Sequence, residues 1–162
     1  LDALKASTSK LISNDAIDLS LLITDNFNMD TTTAPMMMFA RADLLAYQNR
    51  YEECMITLDS ILTEYPAHTL TDEIKMLKAS IYMDQGKYDL AKELYLNIVD
   101  LHFADITADD ALFKLAEMQE YIYRDAAQAM TLYERLITEF PGSLYVVEAR
   151  KHFRALRGDE LN

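Results

Sequence analysis

Tryptophan is absent from this 162-residue chain, cysteine occurs once, and glycine and proline occur three times each. The lone Cys54 excludes an internal disulfide and any Cys-x-x-Cys metal or redox motif. Three glycines cannot furnish the Gly-rich loops that bring backbone N–H groups against phosphates, and three prolines leave long stretches free to run as helix. Basic residues are also scarce: 15 Lys and Arg against 27 Asp and Glu give a net charge of −12. That balance repels nucleic-acid phosphates and anionic lipid, so no nucleic acid is expected as a partner. No apolar run approaches the roughly 18–20 residues needed to span a bilayer, which excludes direct membrane insertion by this sequence. The chain opens on Leu1 without Met or a signal-like segment and reads as a fragment of a longer protein.

What the chain does have is a repeat of about 37 residues. Ala42, Ala79 and Ala116 are spaced at that interval, and each is followed twelve or thirteen residues later by another small residue, Cys54, Ala91 or Ala129. Larger residues recur in step: Leu58, Tyr95 and Tyr133 at one position, Ile61, Ile98 and Leu136 three residues on, then Tyr65-Pro66, His102-Phe103 and Phe140-Pro141 at the close. Two helices per period in the 30–40 range predict a helical solenoid, in which no repeat buries its apolar face without its neighbours. The small pairs have a direct cause. Helices crossing at about 8–10 Å leave no room for bulk at the crossing.

Helical spacing of apolar residues predicts hairpins over 35–66, 72–103 and 107–141, with Gln48-Asn49-Arg50 and Gly86 in the first two turns and a third turn one residue longer. Thr71 and Thr107 are expected N-caps, Thr107 with Asp110 as a capping box. Ser143 is expected to cap a last helix over 143–157, whose Arg150, Lys151, Arg154 and Arg157 complement its negative C-terminal end. Residues 1–25 read as a degenerate or truncated repeat and 26–33 as a loop. The whole of 1–162 is thus expected to be one all-α domain.

The order Ala79-x-x-Tyr82, Gly86-x-Tyr88-x-x-Ala91-x-x-x-Tyr95 resembles the tetratricopeptide repeat family, with the units around Ala42 and Ala116 matching less fully. The resemblance implies a right-handed α-solenoid of TPR-like helical hairpins with a C-terminal capping helix. It implies a non-catalytic protein–protein interaction scaffold, without cofactor, that receives a partner segment in its concave groove. On this numbering the groove would be lined by Phe39, Asp43 and Tyr47, by Met76, Ser80 and Met83, and by Phe113, Glu117 and Tyr121. That lining is aromatic and acidic, which fits a basic, partly apolar protein or peptide. It lacks the Lys, Arg and Asn clamp with which some relatives hold a C-terminal carboxylate. The Tyr-Pro and Phe-Pro-Gly-Ser endings resemble repeats of bacterial envelope accessory proteins, which inclines the expected compartment to the periplasm over the cytoplasm.

Other residues carry less chemistry. His68, His102 and His152 share no helix face at ligand spacing, so no metal site is expected. Cys54 sits at a buried small position, where reactivity is not expected. Asp105, Asp109 and Asp110 lack the alternating oxygens of a calcium loop and fit a helix start better. Met36-Met37-Met38-Phe39 reads mainly as core, with part of the run outward because a helix cannot turn four successive side chains inward. The other functional class left open is a structural spacer or self-association module stacking end to end, including a homodimer through Ala16, Leu19 and Ile23.

Overall fold

A computed structural model of the protein describes residues 33–101 and 107–159. Among these residues there are seven α-helices and no strand: α1 Thr33–Tyr47, α2 Tyr51–Glu64, α3 Thr71–Asp84, α4 Tyr88–Leu101, α5 Ala108–Glu117, α6 Ala126–Glu139 and α7 Val146–Arg157. Helices occupy the foreseen positions on either side of each predicted turn, and a last helix follows. The expected N-terminal repeat, the dimer face of Ala16, Leu19 and Ile23, His102-Phe103 and Asp105 lie outside the described residues. The chain divides into two compact units within α3, one ending at Ile74 and the other beginning at Lys75.

In the first unit α1 and α2 pack as a hairpin. Ala42 and Cys54 are both fully buried, as the crossing requires, and Met36, Phe39 and Leu45 join Leu58 and Ile61 in the core. Met37, at 72% exposed, is the outward member of the methionine run. The turn closes with Asn49 in the left-handed region (φ 58°) and the Arg50 N–H donating to the Leu45 carbonyl at 2.9 Å. After Pro66 the chain is fixed by His68, whose Nδ1 accepts from the Leu70 N–H at 3.2 Å. Thr71 does not cap α3 as expected; its hydroxyl donates to the His68 carbonyl instead.

In the second unit Ala79, Ala91, Ala116 and Ala129 share one core with Tyr95, Ile98, Tyr133 and Leu136. These four small and four large residues of the repeat are all buried. Consecutive helices pack on one another from α4 to α7.

The third hairpin corrects the expected longer turn. Its extra residue sits inside the first helix, where Met118–Ile122 continues α5 as a π-helical segment and the Tyr123 N–H reaches the Met118 carbonyl at 3.0 Å. Ala42 to Asn49 and Ala79 to Gly86 span seven residues, whereas Ala116 to Arg124 spans eight; from each of these turn residues to the next small residue the step is five. Arg124 (φ 59°) and Gly86 (φ 69°) therefore occupy the left-handed position that Asn49 fills in the first hairpin. A π insertion of this kind rotates the residues beyond it by about 100° relative to an unbroken helix.

Capping divides between acids and a hydroxyl. Asp125 Oδ1 accepts from the Gln128 N–H at 3.0 Å and caps α6. Thr107 makes no side-chain cap bond, so the predicted capping box does not form; Asp109 Oδ1 accepts from the Asp110 N–H instead. Ser143 Oγ accepts from the Tyr145 N–H at 3.1 Å in the turn before α7. Arg154 and Arg157 stand in the last turn of α7, where cations complement the exposed carbonyls.

Candidate functional site

The second unit holds an open cleft of ≈ 320 Å³ built where α3 and α5 present their side chains. Ser80 and Met83 contribute from α3, Lys114 and Glu117 from α5, and Met118, Tyr121 and Ile122 from the π segment; Tyr95 reaches it from α4. The walls are thus mainly thioether, aliphatic and aromatic, surfaces that adapt to varied apolar groups. Their charged component is one ion pair, Lys114 Nζ to Glu117 Oε2 at 2.9 Å, formed because i and i+3 are neighbours on a helix. Burial pushes the Tyr95 phenol up to about 12, and the charges of Glu117 and Asp84 push it the same way. The phenol therefore stays neutral at any physiological pH and feels a negative potential.

Beside the cleft an aromatic cluster locks α7 onto α5 and α6. Phe113 stacks on Tyr145 at 4.7 Å between ring centroids, and Tyr133 stacks on His152 at 5.1 Å. Glu120 is the polar hub. Its Oε2 accepts from the Tyr133 hydroxyl at 2.8 Å and lies 2.9 Å from His152 Nδ1, which is 3.1 Å from the Tyr121 hydroxyl. Burial, then the hydrogen bond to Glu120, raises the Tyr133 phenol well above its usual range. Tyr121 thereby has its hydroxyl at the hub while its ring remains on the cleft wall.

Residues 110–143, which run from α5 through the π segment and α6, match the tetratricopeptide repeat. That stretch is one tetratricopeptide repeat unit within the chain. No curated protein matches the chain. Repeats of this family generally mediate protein–protein interaction, and the family is of the non-catalytic scaffold type.

Four of the nine residues expected to line the groove meet at the cleft: Ser80, Met83, Glu117 and Tyr121. Met76 packs against the core of the second unit. Phe39, Asp43 and Tyr47 lie on α1 in the first unit, where Phe39 is buried and Asp43 and Tyr47 are exposed. Phe113 also departs from the expectation. It is only 5% exposed, because Tyr145, at the start of α7, stacks over the ring.

Sequence reasoning misses Lys114, Met118, Ile122 and Tyr95. Lys114 is accessible to it through the i, i+3 relation to Glu117. Met118 and Ile122 depend on the π register, whose only trace in the sequence is the one-residue lengthening of the third unit. Tyr95 recurs as a large residue of the repeat and is buried as such, and it also reaches the cleft.

The remaining candidates hold no assembled chemistry. Cys54 is a buried thiol outside any disulfide, and His68 is buried with its ring bonded to backbone. Among the described residues no three His, Cys, Asp or Glu side chains are grouped to hold a metal ion. No described helix is long and apolar enough to cross a membrane.

Proposed function

We propose that this tetratricopeptide-repeat protein is a scaffold that receives a basic, partly apolar protein segment in the cleft between α3 and α5. The observation that carries the reading is the composition of that cleft: Met83, Met118, Ile122 and the rings of Tyr95 and Tyr121 surround Glu117, with Asp84 close enough to act on Tyr95. An apolar side chain entering the cleft gains contact area. A Lys or Arg beside it competes with Lys114 for Glu117 and meets the faces of tyrosine rings, which attract cations. Net charge of −12 attracts a basic segment from a distance, but screening over about 8 Å at physiological salt leaves most of the affinity to the contacts themselves.

Selection from a random peptide library displayed on phage tests this. Enrichment of sequences pairing Lys or Arg with Leu, Met or aromatic residues is the expected result, and their binding falls with Met83→Ala at every salt concentration and with Glu117→Gln mainly at low salt. Enrichment of acidic sequences, or binding indifferent to both substitutions, overturns the reading.

A further inference from the structure

The last helix, α7, carries the register of α5, the first helix of the preceding hairpin. In register, Val146 and Ala149 of α7 correspond to Ala108 and Ala111 of α5, and all four are buried. The same register sets Arg150, Arg154 and Arg157 against Leu112, Ala116 and Gln119. Leu112 and Ala116 of α5 are buried in the hairpin with α6, as is Gln119 in the π segment that follows, whereas the three arginines are exposed. Together with Val147 they form a stripe at i, i+3, i+7 and i+10, the spacing at which one helix meets another along a seam.

Two features of the stripe are not those of a helix that merely solvates the end of the array. Four of the chain's 15 basic residues fall within the 12 residues of α7, against one acid, Glu148, in a protein of net charge −12. Attraction to the helix C-terminus accounts for Arg154 and Arg157 in the last turn but not for Arg150 and Lys151. Beside these cations stand Val147, 64% exposed, and Leu144, 94% exposed. Arg157 already binds a carboxylate, Asp159, on which the Arg154 charge also acts, and Lys151 binds Glu148 at 2.8 Å; no hydrogen bond or ion pair joins the side chain of Arg150 or Arg154 to another described residue.

We propose that the stripe of Val147, Arg150, Arg154 and Arg157 docks an acidic amphipathic helix of a partner protein, in the position on α7 that α6 takes on α5. Carboxylates at matching spacing pair with the guanidiniums bidentately, and a small apolar residue covers Val147. A helix carrying bulk and no charge is a poor fit, since Arg154 stands where Ala79 and Ala116 allow close approach in the other hairpins. Extended polyanions fit poorly too, because the rest of the chain is acidic and repels them at longer range.

The test is fluorescence anisotropy with a labelled helical peptide bearing Glu at i, i+3 and i+7 and Ala or Leu between. A charge-reversed Lys peptide, phosphatidylserine vesicles and a short DNA duplex are titrated alongside. The Glu peptide is expected to bind at low salt, to lose roughly tenfold or more in affinity with Arg150→Glu and Arg154→Glu combined, and to be indifferent to Lys87→Glu. Met83→Ala leaves this binding unchanged, which separates it from the cleft. Absence of Glu-peptide binding overturns the proposal. So do equal binding by the double variant when its thermal melt matches wild type, and tighter binding of vesicles or duplex than of the peptide.

Discussion

Replacing Arg124 by glycine is expected to stabilise the protein, and replacing Gly86 by alanine to destabilise it. The two residues hold the same left-handed turn position in successive hairpins, with φ of 59° and 69°. An L side chain pays about 1–2 kcal/mol for that conformation. Glycine avoids the cost but brings more freedom to the unfolded chain, worth about 0.4–1 kcal/mol. The difference leaves Arg124→Gly stabilising by about 0.5–1 kcal/mol and Gly86→Ala destabilising by a similar amount. No contact term obscures either change. A Cβ on Gly86 meets nothing within 4 Å, and the exposed Arg124 side chain forms no bond to another described residue. Asn49, the third member, tolerates the conformation and accepts from the Tyr51 hydroxyl at 2.8 Å, so Asn49→Gly should change stability by only a few tenths of a kcal/mol. Urea unfolding followed by circular dichroism reads all three. A destabilising Arg124→Gly, or a neutral Gly86→Ala, refutes the argument that these turns share one backbone geometry.

Other expectations rest on packing, capping and titration. Phe113→Ala removes a buried ring stacked on Tyr145 and should cost about 3–5 kcal/mol, seen as a lower urea midpoint; a change under about 1 kcal/mol contradicts its placement in the core. Asp125→Ala removes the cap on the Gln128 N–H and should cost about 1 kcal/mol in the same assay, while Asp125→Asn should retain most of it. Tyr95 and Tyr145 are both pushed up to about 12, chiefly by burial. A phenol with a raised folded value favours the folded state fully below pH 10 and loses that contribution as pH climbs towards 12, so thermal stability should decline across that window. Absorbance at 295 nm should show part of the phenol signal, these two rings included, ionising only well above pH 10; complete ionisation in a single transition near 10 while the protein remains folded contradicts their burial.

The repeat makes the fold legible because its spacing rests on a steric fact: two helices cannot cross closely over large side chains. Ala42, Cys54, Ala79, Ala91, Ala116 and Ala129 report that constraint directly, and all six are buried. The cleft is legible only in part. Ser80 and Glu117 occupy the same step of the repeat, one residue after Ala79 and Ala116, and both line it. Beyond Glu117 the extra residue changes helix phase, and sequence alone does not distinguish an insertion in the turn from one inside the helix. An unbroken helix would turn Glu120 to the groove, whereas it binds Tyr133 and His152. Phe113 escapes because its cover, Tyr145, comes from outside the repeat that contains it. Thr71 and Thr107 suggest caps by residue type, but a threonine hydroxyl also donates, and at Thr71 it does so to the His68 carbonyl.

Methyl NMR reads directly whether the cleft takes a basic and partly apolar segment. Nine methionines give nine probes; Met83 and Met118 line the cleft, while Met37 is exposed on α1 in the other unit. Titrating protein labelled with ¹³C at the methionine methyls with a library-selected peptide is expected to shift the Met83 and Met118 resonances and leave Met37 in place, and Glu117→Gln should weaken the titration at low salt. Saturable binding that moves Met37 and leaves Met83 and Met118 unchanged contradicts the account.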